Sequence, residues 1–247
     1  MSGIVYLVGA GPGDPGLLTI RGKQLLEQAD VVLYDALANP DFLKLCRDDA
    51  ELVDAGKRGG NHRLKQWETN ELLVKYAKEG KMVIRLKGGD PFMFGRGAEE
   101  AEELRDAGVD VRVVPGVSSS ISVPELAGIP VTHRDHASMV TFVTGHEKAD
   151  RTEDRIDWKA LAESHGTIVV MMGLGNAKSI SEGLVEGGMP TDTPAAIITN
   201  GSTPEQQVEL TTVSKLAATI KDKKMEPPGI MIIGSVASIR EKLGDLQ

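Results

Sequence analysis

A chain of 247 residues with 40% apolar and 26% charged side chains has the composition of a soluble globular protein, long enough for two modest α/β domains. Its net charge of −8 gives a nucleic-acid or anionic-membrane partner no global electrostatic support. The single Cys46 excludes an intrachain disulfide and a cysteine cluster for zinc or iron–sulfur.

The chain opens on an apolar run, Ile4 to Val8, expected as a strand covered on both faces. With no signal-peptide pattern and no run of membrane-spanning length, a cytoplasmic location and no membrane partner are expected. Gly9 to Gly16 follows as a loop, then a helix from about Thr19 to Gln28, then a strand, Val31 to Tyr34, ending at Asp35. This layout invites a dinucleotide-binding reading, which the glycine spacing opposes. Gly9 and Gly11 fit the G-x-G-x-x-G pattern, but the third glycine position holds Asp14. Pro12 and Pro15 also remove amide donors that a pyrophosphate uses.

Asn39-Pro40 leads into a short helix through Cys46, and Glu51 to Ala55 is a short strand reaching Gly56-Lys57-Arg58-Gly59-Gly60. A lysine and an arginine between glycines fit a plain surface turn and an anion-binding loop equally well. Glu68 to Glu79 is an amphipathic helix, and Met82 to Leu86 is a buried strand. From Lys57 to Arg96 ten Lys/Arg stand against four acids, a local excess of +6. Lys75, Lys78 and Lys81 read as a solvated helix face. Lys57, Arg58, Arg85, Lys87 and Arg96 flank glycines or strand ends, where an anionic ligand is expected to meet them.

The stretch 85–100, RLKGGDPFMFGRGAEE, follows that strand and enters a helix over about Ala98 to Ala107. Four glycines, a proline, Asp90 and Arg96 are more than a strand-to-helix turn requires, which points to a binding loop. Glycines let a ligand approach the backbone closely, Asp90 accepts hydrogen bonds from hydroxyl or ammonium groups, and Arg96 presents a planar fork for a carboxylate. Val109 to Val114 is a further strand, and Pro115-Gly116 reads as the hinge between domains, 1–115 and 116–247. Ser118 and Ser119 stand where a helix N-cap belongs, a position that serves capping or ligand binding.

The second half repeats the alternation. Strands are expected at Met139 to Thr144, Thr167 to Met172, Ala195 to Thr199 and Ile230 to Ile233, with helices at Ala177 to Gly187 and at the C-terminus. The charged, aperiodic segment Glu147 to Asp157 reads as a mobile loop. His133, His136 and His146 show no metal-ligand spacing with acids or cysteine, so no metal site is expected. Strands alternating with helices predict a largely wound α/β sheet.

Several of these motifs resemble one family. The run 5–19, YLVGAGPGDPGLLT after Val5, is similar to the N-terminal signature of the tetrapyrrole (corrin/porphyrin) methylases. So are Tyr34-Asp35, Gly56-Lys57-Arg58, the 85–100 stretch, Gly128-Ile129-Pro130-Val131-Thr132-His133-Arg134 and Met172-Gly173. The resemblance covers nearly the whole chain. Its Gly-Lys-Arg element and its 88–100 run match the branch that methylates uroporphyrinogen III at C2 and then C7, giving precorrin-2.

The resemblance implies two α/β domains, a cofactor cleft between them, a homodimer, and S-adenosylmethionine as methyl donor, with S-adenosylhomocysteine as product and no metal. Carried over position by position, the cofactor is expected at Pro12, Gly88, Gly89, Asp90, Met93, Ser118, Ser119, Met172 and Gly201. Asp35 is the expected proton acceptor and Lys57 the expected proton donor. Arg96 and Glu99 match positions near the reacting ring, and Arg134 a contact to a substrate carboxylate. Ser118-Ser119 departs from the Thr-Ala found in many relatives, and Met93 from Val or Ile. A carboxylate-rich substrate explains a basic strip on an acidic protein. The rival readings are a sibling corrin methylase acting at another ring position, a diphthamide or ribosomal-RNA methylase, and a non-catalytic nucleotide-binding module. Net charge disfavours RNA, and a binding module has no need of Asp35, Lys57 and Arg96 together.

Overall fold

The computed structural model describes residues 3–56, 64–145 and 156–247; Lys57, Arg58, His146 and most of the segment 147–157 lie outside the described residues. The chain divides into two compact units, Met1–Ser119 and Ser120–Gln247, where the sequence placed the boundary at 115/116.

The first unit is built on β1 (Ile4–Gly9), β2 (Val31–Tyr34), β3 (Glu51–Asp54), β4 (Met82–Lys87) and β5 (Asp110–Val114). They form one sheet in the order β3-β2-β4-β1-β5, every pair parallel. Alternation assigns the faces. Tyr6, Val8, Ile84 and Leu86 pack with Leu25 and Leu26 of α1 (Ile20–Leu26). Val5, Leu7 and Val83 pack with Leu73 of α2 (Gln66–Lys78) and Leu104 of α3 (Gly97–Asp106) on the other face. The connection leaving β1 therefore runs over one face and the connection leaving β4 over the other. At the C-terminal edge of such neighbouring strands the loops part, and that is where open α/β sheets bind ligands.

The loops at this edge are locked backbone to backbone. Gly11 and Gly89 exchange N–H···O bonds of 3.1 and 2.7 Å. A Cβ on Gly9 would lie 2.5 Å from Gly116, and one on Gly116 would lie 2.3 Å from the Gly89 carbonyl oxygen. Part of the glycine content read as a ligand approach thus serves the mutual approach of three loops.

The second unit contains α4 (Ser119–Leu126), β6 (Val140–Thr144), α5 (Trp158–Glu163), β7 (Thr167–Met171), α6 (Ala177–Glu186), β8 (Pro194–Thr199), β9 (Gln207–Thr212), α7 (Leu216–Asp222), β10 (Gly229–Ile233) and α8 (Arg240–Leu243). Its sheet, β6-β7-β10-β8-β9, is mixed: only β6 and β7 pair in parallel, and β10 runs antiparallel to both β7 and β8. This corrects the expectation of a largely wound sheet throughout. β7, β8 and β10 are continuous apolar runs buried on both faces, and such runs carry no record of strand direction. β9 escaped the sequence reading because it alternates Val208 and Leu210 with polar residues at the sheet edge, a half-buried pattern rather than an apolar run.

Gly116→Ala is expected to lower stability by about 1–3 kcal/mol, since backbone rather than a pliable side chain blocks the methyl group. Urea unfolding measures this; an unchanged midpoint would mean that the three loops are not locked.

Candidate functional site

β4 reads Met82-Val83-Ile84-Arg85-Leu86-Lys87. With a period of two, Arg85 and Lys87 project to the Val83 face, towards α2 and α3. They are 5% and 3% exposed, and they meet Glu100 of α3, which is fully buried. Glu100 Oε1 accepts from Arg85 Nε at 3.3 Å, Lys87 Nζ at 3.0 Å and Gln66 Nε2 at 2.8 Å. This corrects the expectation that Arg85 and Lys87 meet an anionic ligand: their partner is a carboxylate of the chain itself.

The remaining arm of Arg85 reaches the edge. Nη2 donates to Asp35 Oδ1 at 2.5 Å, and Nη1 to the Leu86 carbonyl oxygen at 3.3 Å. Asp35 follows β2, its N–H bonded to Leu86, and its side chain is 31% exposed. Among the described residues the cluster thus holds two cations and two carboxylates, of which only Asp35 opens to solvent. Burial opposes the Arg85 charge, but Asp35 and Glu100 outweigh it and hold the guanidinium above its ordinary range. Lys87 goes the other way: burial, then the neighbouring Arg85, push its ammonium below the usual lysine range.

Arg96 and Glu99 lie on the exposed side of the same helix start. Arg96 donates to Glu99 Oε2 from Nε at 3.1 Å and Nη2 at 2.6 Å, and both side chains are about half exposed. The Glu99 hydrogen bond raises the Arg96 pKa. Arg96 and Phe94 have left-handed backbone, φ 60° and 52°, in a loop wound around the Pro91 carbonyl oxygen, which accepts from Gly97 N at 2.9 Å. A bulky residue held in that region is strained by about 1–3 kcal/mol, as happens where a loop is shaped for binding.

The residues expected at the cofactor gather within each unit. In the first, Pro12, Gly88, Gly89, Asp90, Met93 and Ser118 stand on the loops after β1, β4 and β5, and Ser119, the last residue of that unit, begins α4. Asp90 fastens those loops: Oδ1 accepts from the Phe92 and Met93 N–H groups at 2.9 and 3.1 Å, and Oδ2 from Gly116 N–H at 3.1 Å. A carboxylate offers about four acceptor positions, so one stays open to a ligand hydroxyl. In the second unit, Met172 and Gly201 follow β7 and β8, which leave the sheet at the same edge on either side of β10. Met172 is 52% exposed with φ 55°, and a Cβ on Gly201 would lie 2.3 Å from Val123 Cγ1, so the 200–202 backbone packs bare against α4. Within the first unit, bare backbone, small residues and the Asp90 carboxylate suit a ligand's hydroxyl and amino groups, and within the second, bare backbone and the exposed Met172 suit a flat apolar group; adenosylmethionine carries both kinds.

Arg134 is not brought to that edge. It is exposed in the loop before β6, lining a cavity with His136, Ser164 and His165, at the end of the sheet where β6 and β7 begin. Among the described residues no cluster of His, Cys, Asp or Glu could hold a metal ion, and no helix is long and apolar enough to cross a membrane. The sequence reading missed Glu100, Gln66 and the inward direction of Arg85 and Lys87. The available signal was two charges at alternate positions of an otherwise apolar strand.

A family model for the Tetrapyrrole (Corrin/Porphyrin) Methylases matches residues 4–217. A Methanosarcina barkeri protein named S-adenosyl-L-methionine-dependent uroporphyrinogen III methyltransferase is 46% identical over 243 residues, covering 98% of this chain and 95% of its own. A siroheme synthase of Actinobacillus pleuropneumoniae is 51% identical over 241 residues, 98% of this chain and 49% of its own, so the chain spans about half the length of that relative. A crystal structure of uroporphyrin-III C-methyl transferase from Thermus thermophilus, complexed with S-adenyl homocysteine, matches with TM-score 0.81 at 38% identity. The match covers 96% of this chain and 100% of that one.

Arg85→Met leaves Asp35 without its partner and unbalances the buried charges, and a loss of about 3–5 kcal/mol is expected. Arg96→Met, which removes an exposed pair, is expected to lose less than about 1 kcal/mol. Urea titrations of both variants measure the contrast, and equal losses would contradict the burial assignment.

Proposed function

The chain belongs to the tetrapyrrole (corrin/porphyrin) methylases, and from that premise we propose that it is an S-adenosylmethionine-dependent C-methyltransferase of uroporphyrinogen III. It methylates C2 and then C7, passing through precorrin-1 to precorrin-2. The observation that carries this reading is the nearly end-to-end match to a uroporphyrinogen III methyltransferase, 98% of this chain against 95% of that one. The product places the enzyme early in tetrapyrrole synthesis of the sirohaem and cobalamin type. A homodimer in the cytoplasm, with neither nucleic acid nor membrane as partner, completes the reading.

S-adenosylmethionine supplies a methyl group already activated on its sulfonium. The chain therefore needs no covalent nucleophile, and its work is to position the reactants and to handle protons and charge. Pro12, Gly88, Gly89, Asp90, Met93, Ser118 and Ser119 in the first unit, with Met172 and Gly201 in the second, hold the donor. Asp90 does so with the acceptor position its three backbone donors leave. Methyl transfer to a ring carbon that already bears a side chain breaks the sulfonium–methyl bond and leaves the ring cationic. A proton must therefore leave from another position of the macrocycle, and Asp35 accepts it: its Oδ1 is fixed by Arg85 and its side chain reaches solvent at the edge. Lys57 returns a proton. Arg96 exchanges Glu99 for a substrate carboxylate, an exchange that an exposed pair permits at little loss. Arg134 contacts a substrate carboxylate only if the substrate, or a second copy of the chain, reaches the loop before β6.

Anaerobic incubation with S-adenosylmethionine and uroporphyrinogen III, followed by mass and absorption, is expected to show the gain of two methyl groups. Asp35→Asn is expected to lower kcat by about 10²–10⁴-fold. Bound S-adenosylmethionine with no methyl transfer would replace this substrate by another corrin intermediate. Full turnover by Asp35→Asn would remove Asp35 as the acceptor.

A further inference from the structure

Among the described residues the Asp35 side chain has one tether, Arg85 Nη2. The direction of that tether is set below the surface. Each type of guanidinium nitrogen of Arg85 has its own acceptor: Nε on Glu100, Nη1 on the Leu86 carbonyl and Nη2 on Asp35. A planar fork held at both Nε and Nη1 has little freedom to pivot, and since the Leu86 carbonyl belongs to the strand itself, the line along which Nη2 meets Asp35 depends on where Glu100 stands. Glu100 is itself over-determined, with donors from β4 and α2 converging on its Oε1.

Neutralisation alone does not explain the arrangement. Arg85 and Asp35 already balance each other. Adding Lys87 and Glu100 buries a second ion pair, and the desolvation penalty of such a pair commonly exceeds its attraction. The Glu100 Oε2 atom is also buried with no hydrogen-bond partner, a further penalty that a purely stabilising design would avoid.

We propose that Glu100 is a positioning residue for Asp35, acting through Arg85, with Lys87 as the counter-charge that lets a second carboxylate be buried there. Glu100 touches neither donor nor substrate. It holds the guanidinium, and the guanidinium holds the proton-accepting carboxylate at the sheet edge. This inference rests on the reading of Asp35 as the proton acceptor.

Two variants test it. Glu100→Gln removes the anchoring charge and leaves two buried cations against one carboxylate. Lys87→Met combined with Glu100→Gln restores the balance without restoring the anchor. In Glu100→Gln the unfolding midpoint is expected to fall, and kcat to fall by about 10- to 100-fold, with KM for S-adenosylmethionine within about twofold of the parent. In the double variant the midpoint is expected to recover while kcat stays low. Recovery of kcat together with the midpoint would overturn the proposal and leave Glu100 a structural role. A crystal structure of ligand-free Glu100→Gln gives a readout independent of activity: displacement of Arg85 from Asp35 supports the tether, and an unmoved 2.5 Å contact overturns it. Failure of the parent protein to methylate uroporphyrinogen III would instead sink the functional reading, and the crystal structure would still decide the tether.

Discussion

Arg85 and Lys87 are carried into the interior by the strand that delivers the glycine-rich loop 88–97, and the consequences spread from there. β4 sits between β2 and β1, so its side chains on the helix-covered face have no route to bulk water. Two cations in that position require carboxylates, and the chain supplies one from each side: Glu100 from α3 below and Asp35 from the end of β2 above. The fold of the first unit and Asp35, the proposed proton acceptor, are therefore coupled through one charge cluster. A loss at any member is felt as instability and as misplacement of Asp35 together.

The second constraint is steric. Gly9, Gly89 and Gly116 allow the loops after β1, β4 and β5 to touch backbone to backbone, and the Asp90 carboxylate bonds the last two of these loops together. The result is a rigid floor made largely of peptide groups, with few side chains. In the second unit the same device appears at Gly145 and Gly173, where an added Cβ on Gly145 would lie 2.3 Å from Gly173 Cα, beside the exposed Met172. Both sheets thus end in bare backbone at the loops proposed to hold the methyl donor.

Much of this was legible in the sequence. The apolar runs of β1, β2 and the first half of β4 announce buried strands, and the glycine-rich connections after β1 and β4 announce an edge at which loops crowd. Asp35, Asp90 and Arg96 were visible because they interrupt those signals, whereas Glu99 was singled out by the family resemblance alone. Strand direction in the second sheet was not, because β10 reads the same whether it runs parallel or antiparallel to its neighbours. Nor was Glu100 distinguishable from Glu99 beside it. One residue of helix rotation separates a fully buried anchor from a half-exposed surface acid, and only the packing of α3 on β4 decides which is which. The placement of Arg134 likewise depends on which end of β6 its loop adjoins, something a local motif does not encode.

The most direct test of this account is a double-mutant cycle on Asp35→Asn and Arg85→Met, read by urea unfolding. The account holds that the two side chains form one charge-balanced unit. Their combined loss should fall short of the sum of the single losses by about 1–3 kcal/mol. Additivity within about 0.5 kcal/mol would mean that Arg85 does not hold Asp35, and the physical basis for placing the reaction at this edge would be gone.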